Sequence, residues 1–323
     1  MKPTVPPPRT THPATPGVHR PGTEWPTWCL ILAIYGGWVA LILQYRHLPP
    51  LVGDVALVLV VAWFMSLQHE LLHGHPTRHA GLNRLLGLAP FAAWYPYDIY
   101  RDSHIAHHRD ALLTTPGVDP ESNYVEAARW QQLGRATRFL HWAMRTSAGR
   151  FLLGPALTIV TVWVDIVRGP RQRGWPALRT WVEHLALLAL LLWWVQAEAG
   201  IAPPHYLFGI AYPALGLAMM RSFYEHRPVG APEHRIVINE AGLFWRLLYL
   251  NNNLHSVHHA VPGLPWYRIP ALWRAERAQF LAGNGQFHWQ GYGGLLWRHL
   301  FTPIDSPVHP GFGSAEARDT PTR

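Results

Sequence analysis

Four long apolar runs constrain the fold of this chain more than any other feature of its sequence. The runs cover residues 28–44, 51–67, 181–195 and 206–220 and are nearly free of charged side chains. Each approaches the roughly 17–25 residues with which a helix crosses the hydrocarbon core of a membrane. Only 14% of all residues are charged, whereas soluble domains contain about 25%. The sequence therefore predicts an all-α integral membrane protein with four transmembrane helices arranged in two hairpins.

A fifth apolar segment, 151–167, is predicted to lie at the membrane surface instead of crossing it. It contains Asp165 and continues into the Arg-rich stretch 168–173. A crossing here would place the histidine motifs described below on opposite sides of the bilayer. We therefore expect an interfacial or re-entrant helix. The apolar stretches 82–94 and 241–250 are too short to span and are interpreted in the same way.

The positions of the basic residues predict the orientation in the membrane. The chain has 27 Lys and Arg residues and a formal net charge of +8, yet the two short connections between the paired runs contain only Arg46. Positively charged loops stay in the cytoplasm. We therefore expect both ends and the long central segment to form a cytoplasmic helical cap, with the hairpin tips outside. This distribution explains the positive charge without a nucleic-acid partner.

Both ends of the chain differ in composition from its apolar middle. Residues 1–26 are rich in Pro and Thr, and residues 305–323 contain Pro, Gly and Ser. Segments of this kind cannot bury enough apolar surface to fold. We therefore predict a disordered N-terminal tail, a membrane domain over residues 27–304 and a disordered C-terminal tail.

Three clusters of histidines contain the most specific chemical signal in the sequence. HELLH places His69 and His73 on one helix face at the end of the second apolar run, because residues four apart are neighbours on a helix. HIAHH and HSVHH contain the other members, His104, His107, His108, His255, His258 and His259. Within an HxxHH helix the first and last imidazoles share a face, and the middle one is rotated by about 100°. This pattern suits two neighbouring metal ions better than one.

A ninth candidate ligand, His226 in SFYEHR, follows the fourth apolar run. Imidazole binds zinc, copper, iron and nickel, so the ligand type alone leaves the metal open. The number of ligands is more informative, because eight or nine nitrogens exceed the four ligands that are usual for a zinc site. Nitrogens in this number fit two ions of higher coordination number.

The order and spacing of the motifs resemble the three histidine boxes of the membrane fatty acid desaturase and hydroxylase family. HELLH is followed about thirty residues later by HIAHH, and HSVHH comes after a predicted membrane hairpin. After the last box, HHAVPGLPWYRIPAL is similar to the Pro-rich turn of sphingolipid-desaturase-like members. The similarity extends over about residues 28–298, nearly the whole chain.

The resemblance implies a non-haem di-iron centre, with two iron ions, that activates O2 and removes hydrogen from an unactivated C–H bond of a lipid acyl chain. Carried over by motif, the ligands are His69, His73, His104, His107, His108, His226, His255, His258 and His259. A fatty acid desaturase is the main expectation. The first motif has three residues between its two histidines, a spacing also seen in hydroxylases. A lipid or alkyl hydroxylase with the same site is therefore the alternative. The site is expected to face the cytoplasm.

Electrons are expected to come from a separate protein. The chain has a single cysteine, Cys29, which excludes a cysteine-ligated iron–sulfur cluster within one chain, and no haem-binding or flavin-binding segment is recognisable. We therefore predict an external donor of the ferredoxin or rubredoxin type, and the Arg-rich cytoplasmic surface suits an acidic one. O2, membrane lipids and the lipid acyl substrate complete the expected partners.

Two other classes of function are weighed against the oxygenase. HELLH also matches the HExxH motif of zinc metallopeptidases, in which Glu70 would act as general base beside a zinc ion bound by His69 and His73. That interpretation leaves both HxxHH clusters without a role. A metal transporter would need ionisable groups inside its spans, and the apolar runs contain almost none. The motifs do not define the substrate, and a non-lipid substrate stays open.

Several polar residues near the motifs are weaker candidates. His75 and His79 follow the first cluster, and each is either a substitute ligand or, as we expect, a solvated surface residue. Acidic side chains that either orient ligating imidazoles or balance nearby arginines are Asp98, Asp102, Asp110 and Glu225. One of Asn251, Asn252 and Asn253 either binds a ligand or metal-bound water or forms a turn. The aromatic residues Trp94, Tyr95, Tyr97 and Tyr100 are expected to anchor the chain at the membrane interface rather than line a substrate slot.

Overall fold

The computed structural model describes residues 23–109 and 112–311, so the outer parts of both predicted tails, 1–22 and 312–323, lie outside the described residues. The α-helices are α1 Trp25–Gln44, α2 Pro50–Leu72, α3 Ala80–Gly87, α4 Tyr97–Arg109, α5 Ala127–Gln132, α6 Arg135–Ala143, α7 Ser147–Arg173, α8 Trp175–Ala199, α9 Pro203–His205, α10 Tyr212–Arg221, α11 Leu243–Leu248, α12 His255–Ala260, α13 Ile269–Gly283 and α14 Tyr292–Arg298. A π-helix covers Tyr206–Ala211, and 3-10 helices cover Tyr45–His47, Ser222–Tyr224 and Pro232–Arg235. The described chain is mainly helical, as the sequence predicts.

The strands in the described residues are two short ones that connect distant parts of the chain. Strand β1, Ile238–Asn239, pairs in parallel with β2, His288–Trp289, in the register Ile238 to His288. The pair lies between the fourth predicted span and α14. It ties the segment before α12 to the segment after α13.

Helices α1 and α2 pack against each other through buried faces. Pro26 occupies the first turn of α1, where its missing N–H costs no helical hydrogen bond. The buried residues Ile34, Trp38 and Ile42 recur every four positions and form one stripe on α1. Trp38 stacks on Phe91 with ring centroids 4.2 Å apart. The outward face of α1 also carries apolar side chains, as expected for a helix in contact with lipid.

Four helices of the described chain are long and apolar enough to cross a membrane. They are Trp25–His47, Pro50–Leu72, Ser147–Arg173 and Trp175–Ala199. The first includes the 3-10 turn that follows α1. Three of the four contain predicted spans, at residues 28–44, 51–67 and 181–195. The number of candidate spans therefore agrees with the prediction, although one of them is a different segment.

Helix α7 is longer than the apolar segment from which it is predicted, and its placement at the membrane surface stays a prediction. Residues 151–167, predicted to lie at the membrane surface, belong to one continuous helix of 27 residues. Its acidic residue Asp165 is compensated, because Arg173 donates to its Oδ1 over 2.6 Å and Trp181 donates to its Oδ2 over 3.2 Å. By length and composition α7 can cross a membrane.

The predicted fourth span, 206–220, is interrupted. Its residues are divided between the π-helix and α10, which follow α9 without a gap. The π-helix departs from the regular i to i−4 hydrogen bonds, and Pro213 in the first turn of α10 has no N–H. No single piece is therefore long enough to span, although the three pieces together run continuously from Pro203 to Arg221.

Contacts near the ends of α8 define its direction relative to α2. Arg46 lies in the connection between α1 and α2, and its Nε donates to the carbonyl oxygen of Glu198 near the end of α8 over 2.8 Å. In the first half of α8, Glu183 accepts from Arg84 of α3, shortly after the end of α2. Helix α8 therefore starts on the side where α2 ends and finishes near the connection between α1 and α2.

Short helices and loops cover the C-terminal end of α2, and both predicted tails contribute to this region. Tyr124 donates its hydroxyl hydrogen to Asp305 over 2.6 Å. Glu24 is buried, and its Oε1 lies 2.8 Å from Nδ1 of His75. The inner parts of both predicted tails thus make defined contacts with the rest of the chain.

Candidate metal centre

Nine histidines from four parts of the chain converge beside the C-terminal end of α2. His69 lies in the last turn of α2 and His73 caps that helix, with their ring centroids 4.8 Å apart. Helices α4 and α12 contribute three histidines each, and His226 follows α10. The rings of His104 and His258, from different motifs, have centroids 6.5 Å apart. The structure therefore brings together all nine histidines that the sequence singles out.

The nine side chains form two groups. The five-histidine group contains His69, His73, His104, His108 and His258, and the four-histidine group contains His107, His226, His255 and His259. Within each group one nitrogen of every ring lies within 4.8 Å of the others. Imidazole nitrogens bind a metal ion at about 2.0–2.1 Å, so nitrogens on opposite sides of one ion are about 4 Å apart. Each group is close to the size that one ion requires.

The HxxHH spacing explains how two helices serve both groups. On α4, His104 and His108 are about one helical turn apart and belong to the five-histidine group, whereas His107 points to the other group. On α12 the assignment is reversed, because His258 belongs to the five-histidine group and its two neighbours in the motif to the four-histidine group. Each helix therefore contributes ligand atoms to both groups.

Two carboxylates fix which nitrogen of the α4 imidazoles carries the proton. Nδ1 of His104 lies 2.9 Å from Glu121, and Nδ1 of His107 lies 2.8 Å from Asp119. An ionised carboxylate only accepts hydrogen bonds, so each Nδ1 carries the hydrogen. In the neutral ring the Nε2 lone pair is then free to bind a metal.

The free Nε2 atoms lie close enough to one another for a single metal ion to bind several of them. Nε2 of His108 is 3.0 Å from Nε2 of His104 and 3.1 Å from Nε2 of His258. Burial lowers the pKa of His108 to about 2, so its ring is neutral at neutral pH and has one lone pair that can bind a metal. Nε2 of His73 is buried with no hydrogen-bond partner among the described residues. A metal ion satisfies all of these nitrogens, so the residues fit the group that the motifs imply.

Burial keeps most of these imidazoles neutral, which is the form that binds metal. It lowers the pKa of His226 to about 3, and it also lowers the pKa of His255, His258 and His259. The pKa of His107 shifts in the opposite direction. Burial alone would lower its pKa as well, but the carboxylates of Glu121 and Asp119 outweigh burial and raise it.

Asn252 lies between the two groups. Its Nδ2 is 3.2 Å from Nε2 of His69, and its Oδ1 is 3.2 Å from Nδ1 of His255. The sequence indicates that one of three consecutive asparagines either binds a ligand or metal-bound water or forms a turn. The structure shows which of them lies beside the histidines. Asn251 and Asn253 hydrogen-bond to backbone carbonyl groups through their side-chain amides, so they shape the turn before α12.

The carboxylates that contact the α4 histidines are absent from the predicted set. Asp119 and Glu121 lie in the segment after α4, in the sequence DPES. This segment is not part of a histidine motif, and no helical spacing relates it to one. Asp119 also accepts from the backbone N–H groups of Thr114 and Glu121. These contacts depend on how the loop folds back over α4, so no local pattern in the sequence indicates them.

The predicted acidic candidates have different roles. Asp98 accepts from Arg84 and Arg101, and Asp102 accepts from Arg101, so both balance arginines away from the histidines. Asp110 lies outside the described residues. Of the three acidic candidates that the structure describes, Glu225 lies nearest the histidines, with its Oε1 3.6 Å from Nδ1 of His255.

Two of the weaker predictions are wrong and one is confirmed. His75 is fully buried and contacts Glu24, whereas the sequence predicts a solvated side chain. His79 is exposed, as predicted. The aromatic run is not a set of exposed anchors, because Trp94 and Tyr97 are buried and two further members, Tyr95 and Tyr100, line a cavity.

That cavity, of about 540 Å³, connects the histidines to the apolar helices. His69, His104 and His226 line one part of it. Another part is lined by apolar side chains of α7 and α10, among them Leu157 and Leu215. Its volume lies within the range of about 300–1,000 Å³ that is typical of sites for small molecules.

The comparison with known families agrees with this geometry. The family model described as fatty acid desaturase matches residues 45–291, a range that includes all three histidine motifs and His226. No curated protein matches the chain. The family match, the apolar helices and the converging histidines together establish that the chain belongs to the membrane fatty acid desaturase and hydroxylase family.

Proposed function

We propose that this protein is a membrane di-iron oxygenase that attacks an unactivated C–H bond of a lipid acyl chain and acts as a fatty acid desaturase. The observation that carries the proposal is the division of nine histidines into two neighbouring groups, each close to the size that one metal ion requires. Family membership supports oxidation chemistry. Iron suits sites built from imidazole and able to take more than four ligands.

Iron bound at the two groups would supply O2 activation and the removal of hydrogen from the substrate. The residues of this chain hold and orient that centre. Asp119 and Glu121 keep the Nδ1 protons on two α4 imidazoles, which aims the Nε2 lone pairs into the groups. Five of the nine histidines are buried, which limits the access of water to the same space.

The helix directions support one membrane arrangement. Helix α8 starts on the side where α2 ends and finishes near Arg46, and the continuous path from Pro203 to Arg221 leads from the end of α8 to His226. We propose that α1, α2, α8 and this path form the two predicted hairpins, and that α7 packs along them on the histidine side. The distribution of basic residues favours the cytoplasm for that side.

The cavity supports a substrate with an apolar chain. It joins the space beside the histidines to side chains of α7 and α10, which are part of the apolar region of the molecule. An acyl chain held there would present one C–H bond to the metal centre, because fixed positioning converts the reaction into an effectively intramolecular one. The hydroxylase alternative uses the same site and differs in the product alone.

The zinc peptidase alternative is disfavoured by the position of Glu70. Its Oε2 accepts from the backbone N–H of Trp266 over 3.1 Å, whereas a general base has to face a metal-bound water. The other carboxylate oxygen lies 4.0 Å from Nδ1 of His69. Seven further histidines would also have no role in a site of that type.

Electrons have to reach the centre from a donor that binds the exposed side of the cap. We propose an external ferredoxin or rubredoxin. Purified protein supplied with NAD(P)H alone should form no product, and addition of a ferredoxin with its reductase should restore product formation. Turnover without any added donor would contradict this part of the proposal.

The main experiment combines metal analysis with product analysis. Detergent-purified protein should contain about two irons per chain, and cells that express it should accumulate a lipid with one additional double bond. The matched control is His79→Ala, which removes an exposed histidine outside both groups and should leave the iron content unchanged. One zinc per chain would favour the peptidase, and two irons with a new hydroxyl group would favour the hydroxylase.

A further inference from the structure

Arg150 is a buried cation that faces the cavity. It lies in the first turns of α7, lines the cavity and is 5% exposed. Its Nη1 donates to Oδ1 of Asn123 over 2.9 Å, and its Nη2 donates to Oγ of Ser222 over 3.3 Å. A guanidinium group has five N–H donors. Three of them have no acceptor among the described residues, and the buried Nε is one of these.

The other two arginines that line the cavity have carboxylate partners. Arg145 forms an ion pair with Asp305, and Arg221 lies 3.4 Å from Glu225. In residues 23–109 and 112–311, no carboxylate oxygen lies within 4.0 Å of the guanidinium of Arg150. Glu121 and Glu225, which also line the cavity, act on Arg150 only at longer range, so no direct ion pair offsets the cost of its desolvation. The cavity therefore offers an unused position for an anion.

We propose that Arg150 binds the carboxylate of the substrate, so that the protein acts on a free acid rather than on an acyl chain esterified to a head group. This inference rests on the proposed function, because it uses the same cavity. A carboxylate can accept two parallel hydrogen bonds from a guanidinium, whereas an ester carbonyl carries no charge to offset that of Arg150.

The neighbours of Arg150 are suited to hold it in place for this purpose. Ser222 accepts from Arg150 and donates its own hydroxyl hydrogen to the carbonyl of Met219. Asn123 is two residues from Glu121, which contacts His104. The anchored carboxylate would therefore lie in the same cavity as the metal centre, and the carbon that is oxidised would be selected by its distance from the carboxyl end.

The first test compares ligands on the wild-type protein. Full-length, metal-reconstituted protein in lipid nanodiscs is titrated with palmitic acid, methyl palmitate and hexadecyl phosphate, and the dissociation constants are measured by competition with radiolabelled palmitic acid. We expect palmitic acid to bind about 10-fold to 100-fold more tightly than its methyl ester, as a charge-assisted hydrogen-bonded pair provides. Equal affinities of acid and ester, or tighter binding of the phosphate, would overturn the inference without any variant.

The second test uses variants of the arginine. Arg150→Gln should weaken binding of palmitic acid about 10-fold to 100-fold and leave binding of methyl palmitate unchanged. The matched control is Arg46→Gln, because Arg46 also donates to neutral acceptors, the carbonyl oxygens of Ala197 and Glu198, but is exposed and distant from the cavity. Arg46→Gln should change neither affinity.

Binding and turnover separate this inference from the proposed function. Acid-selective binding that is lost in Arg150→Gln, with no oxidised product, would reject the oxygenase and retain the carboxylate site. Oxidation of an esterified chain, with Arg150→Gln affecting acid and ester alike, would retain the oxygenase and reject the carboxylate site.

Discussion

The two histidine groups are built differently, although they lie side by side. All five members of the first group belong to the three sequence motifs, whereas the second group needs His226, which stands alone after α10. If one ligand is lost, the first group still has four nitrogens and the second has three. The four-histidine group is therefore expected to be the more sensitive half of the centre.

The largest expected effects come from two single variants, each of which removes one ligand from one of the groups. His226→Ala should lower the iron content from about two per chain to about one, and it should reduce turnover by more than the roughly 100-fold that is lost when an orienting partner is removed. His73→Ala should retain more iron than His226→Ala, because four nitrogens remain in its group. Iron quantification and product analysis of both purified variants provide the measurement. Equal iron loss would contradict the proposed difference between the groups.

The carboxylates behind the α4 histidines should give the next largest effect. Asp119→Asn should weaken metal binding at the four-histidine group, and Glu121→Gln should do so at the five-histidine group, each by about 10-fold to 100-fold. Asp119 also accepts two backbone hydrogen bonds, so its variant should be the more severe. Titration of iron-free protein with Fe(II) measures both affinities. Affinities that match the wild type would show that these carboxylates do not orient metal ligands.

Acidification should destabilise the metal-free protein. Burial lowers the pKa of His226 to about 3 in the folded chain, against an ordinary value of 6.5, and it also lowers the pKa of His255 and His258. Below about pH 6.5 the unfolded chain takes up protons that the folded chain does not, so the stability present at higher pH is lost as the pH falls. Each such group contributes up to about 1.4 kcal/mol per pH unit.

The measurement is thermal unfolding of chelator-treated protein between pH 8 and 5.5, a range above the ordinary pKa of carboxylates. The melting temperature should fall with pH. His107 provides the contrast between the groups, because its pKa is raised although burial alone would lower it, so folding favours its protonated form as the pH falls. A His107→Gln variant should therefore lose stability more steeply on acidification than the wild type, and a shallower loss would contradict this assignment.

The smallest effect is expected for a carboxylate that contacts neither group. Asp98→Asn breaks partly exposed ion pairs with Arg84 and Arg101. Such pairs contribute at most about 1 kcal/mol, so the melting temperature should change little and the iron content should not change. A marked loss of iron would mean that Asp98 supports the metal centre through α4.

The sequence predicts the ligands better than the surroundings of the ligands. Helical spacing is a local property, so the HxxHH motifs predict six of the nine candidates and the rotation that divides them between two groups. The contacts of Asp119 and Glu121 depend on a loop that returns over α4. His75 is buried through a contact with Glu24, which is 51 residues away. Contacts of this range leave no periodic signal in a single sequence.

Prediction of the membrane segments is limited in the same way, because contacts between distant residues cannot be seen in the sequence. Periodicity and length predict α1, α2 and α8. The placement of α7 at the membrane surface stays a prediction, and Asp165, on which it partly rests, is compensated by Arg173 and Trp181. The predicted span 206–220 contains a π-helix, and this irregularity has no clear signature in an apolar sequence. A count of charged residues cannot show which of them have partners in space.

Because adjacent residues of α4, His107 and His108, belong to different groups, an ion bound at either group would also hold in place the helix that presents ligands to the other. Binding at one group should therefore assist binding at the other, so the wild-type protein should fill both groups together, whereas His226→Ala should still hold one ion in the five-histidine group. An organism short of iron would then hold a mixture of empty and fully active molecules rather than a population of impaired ones.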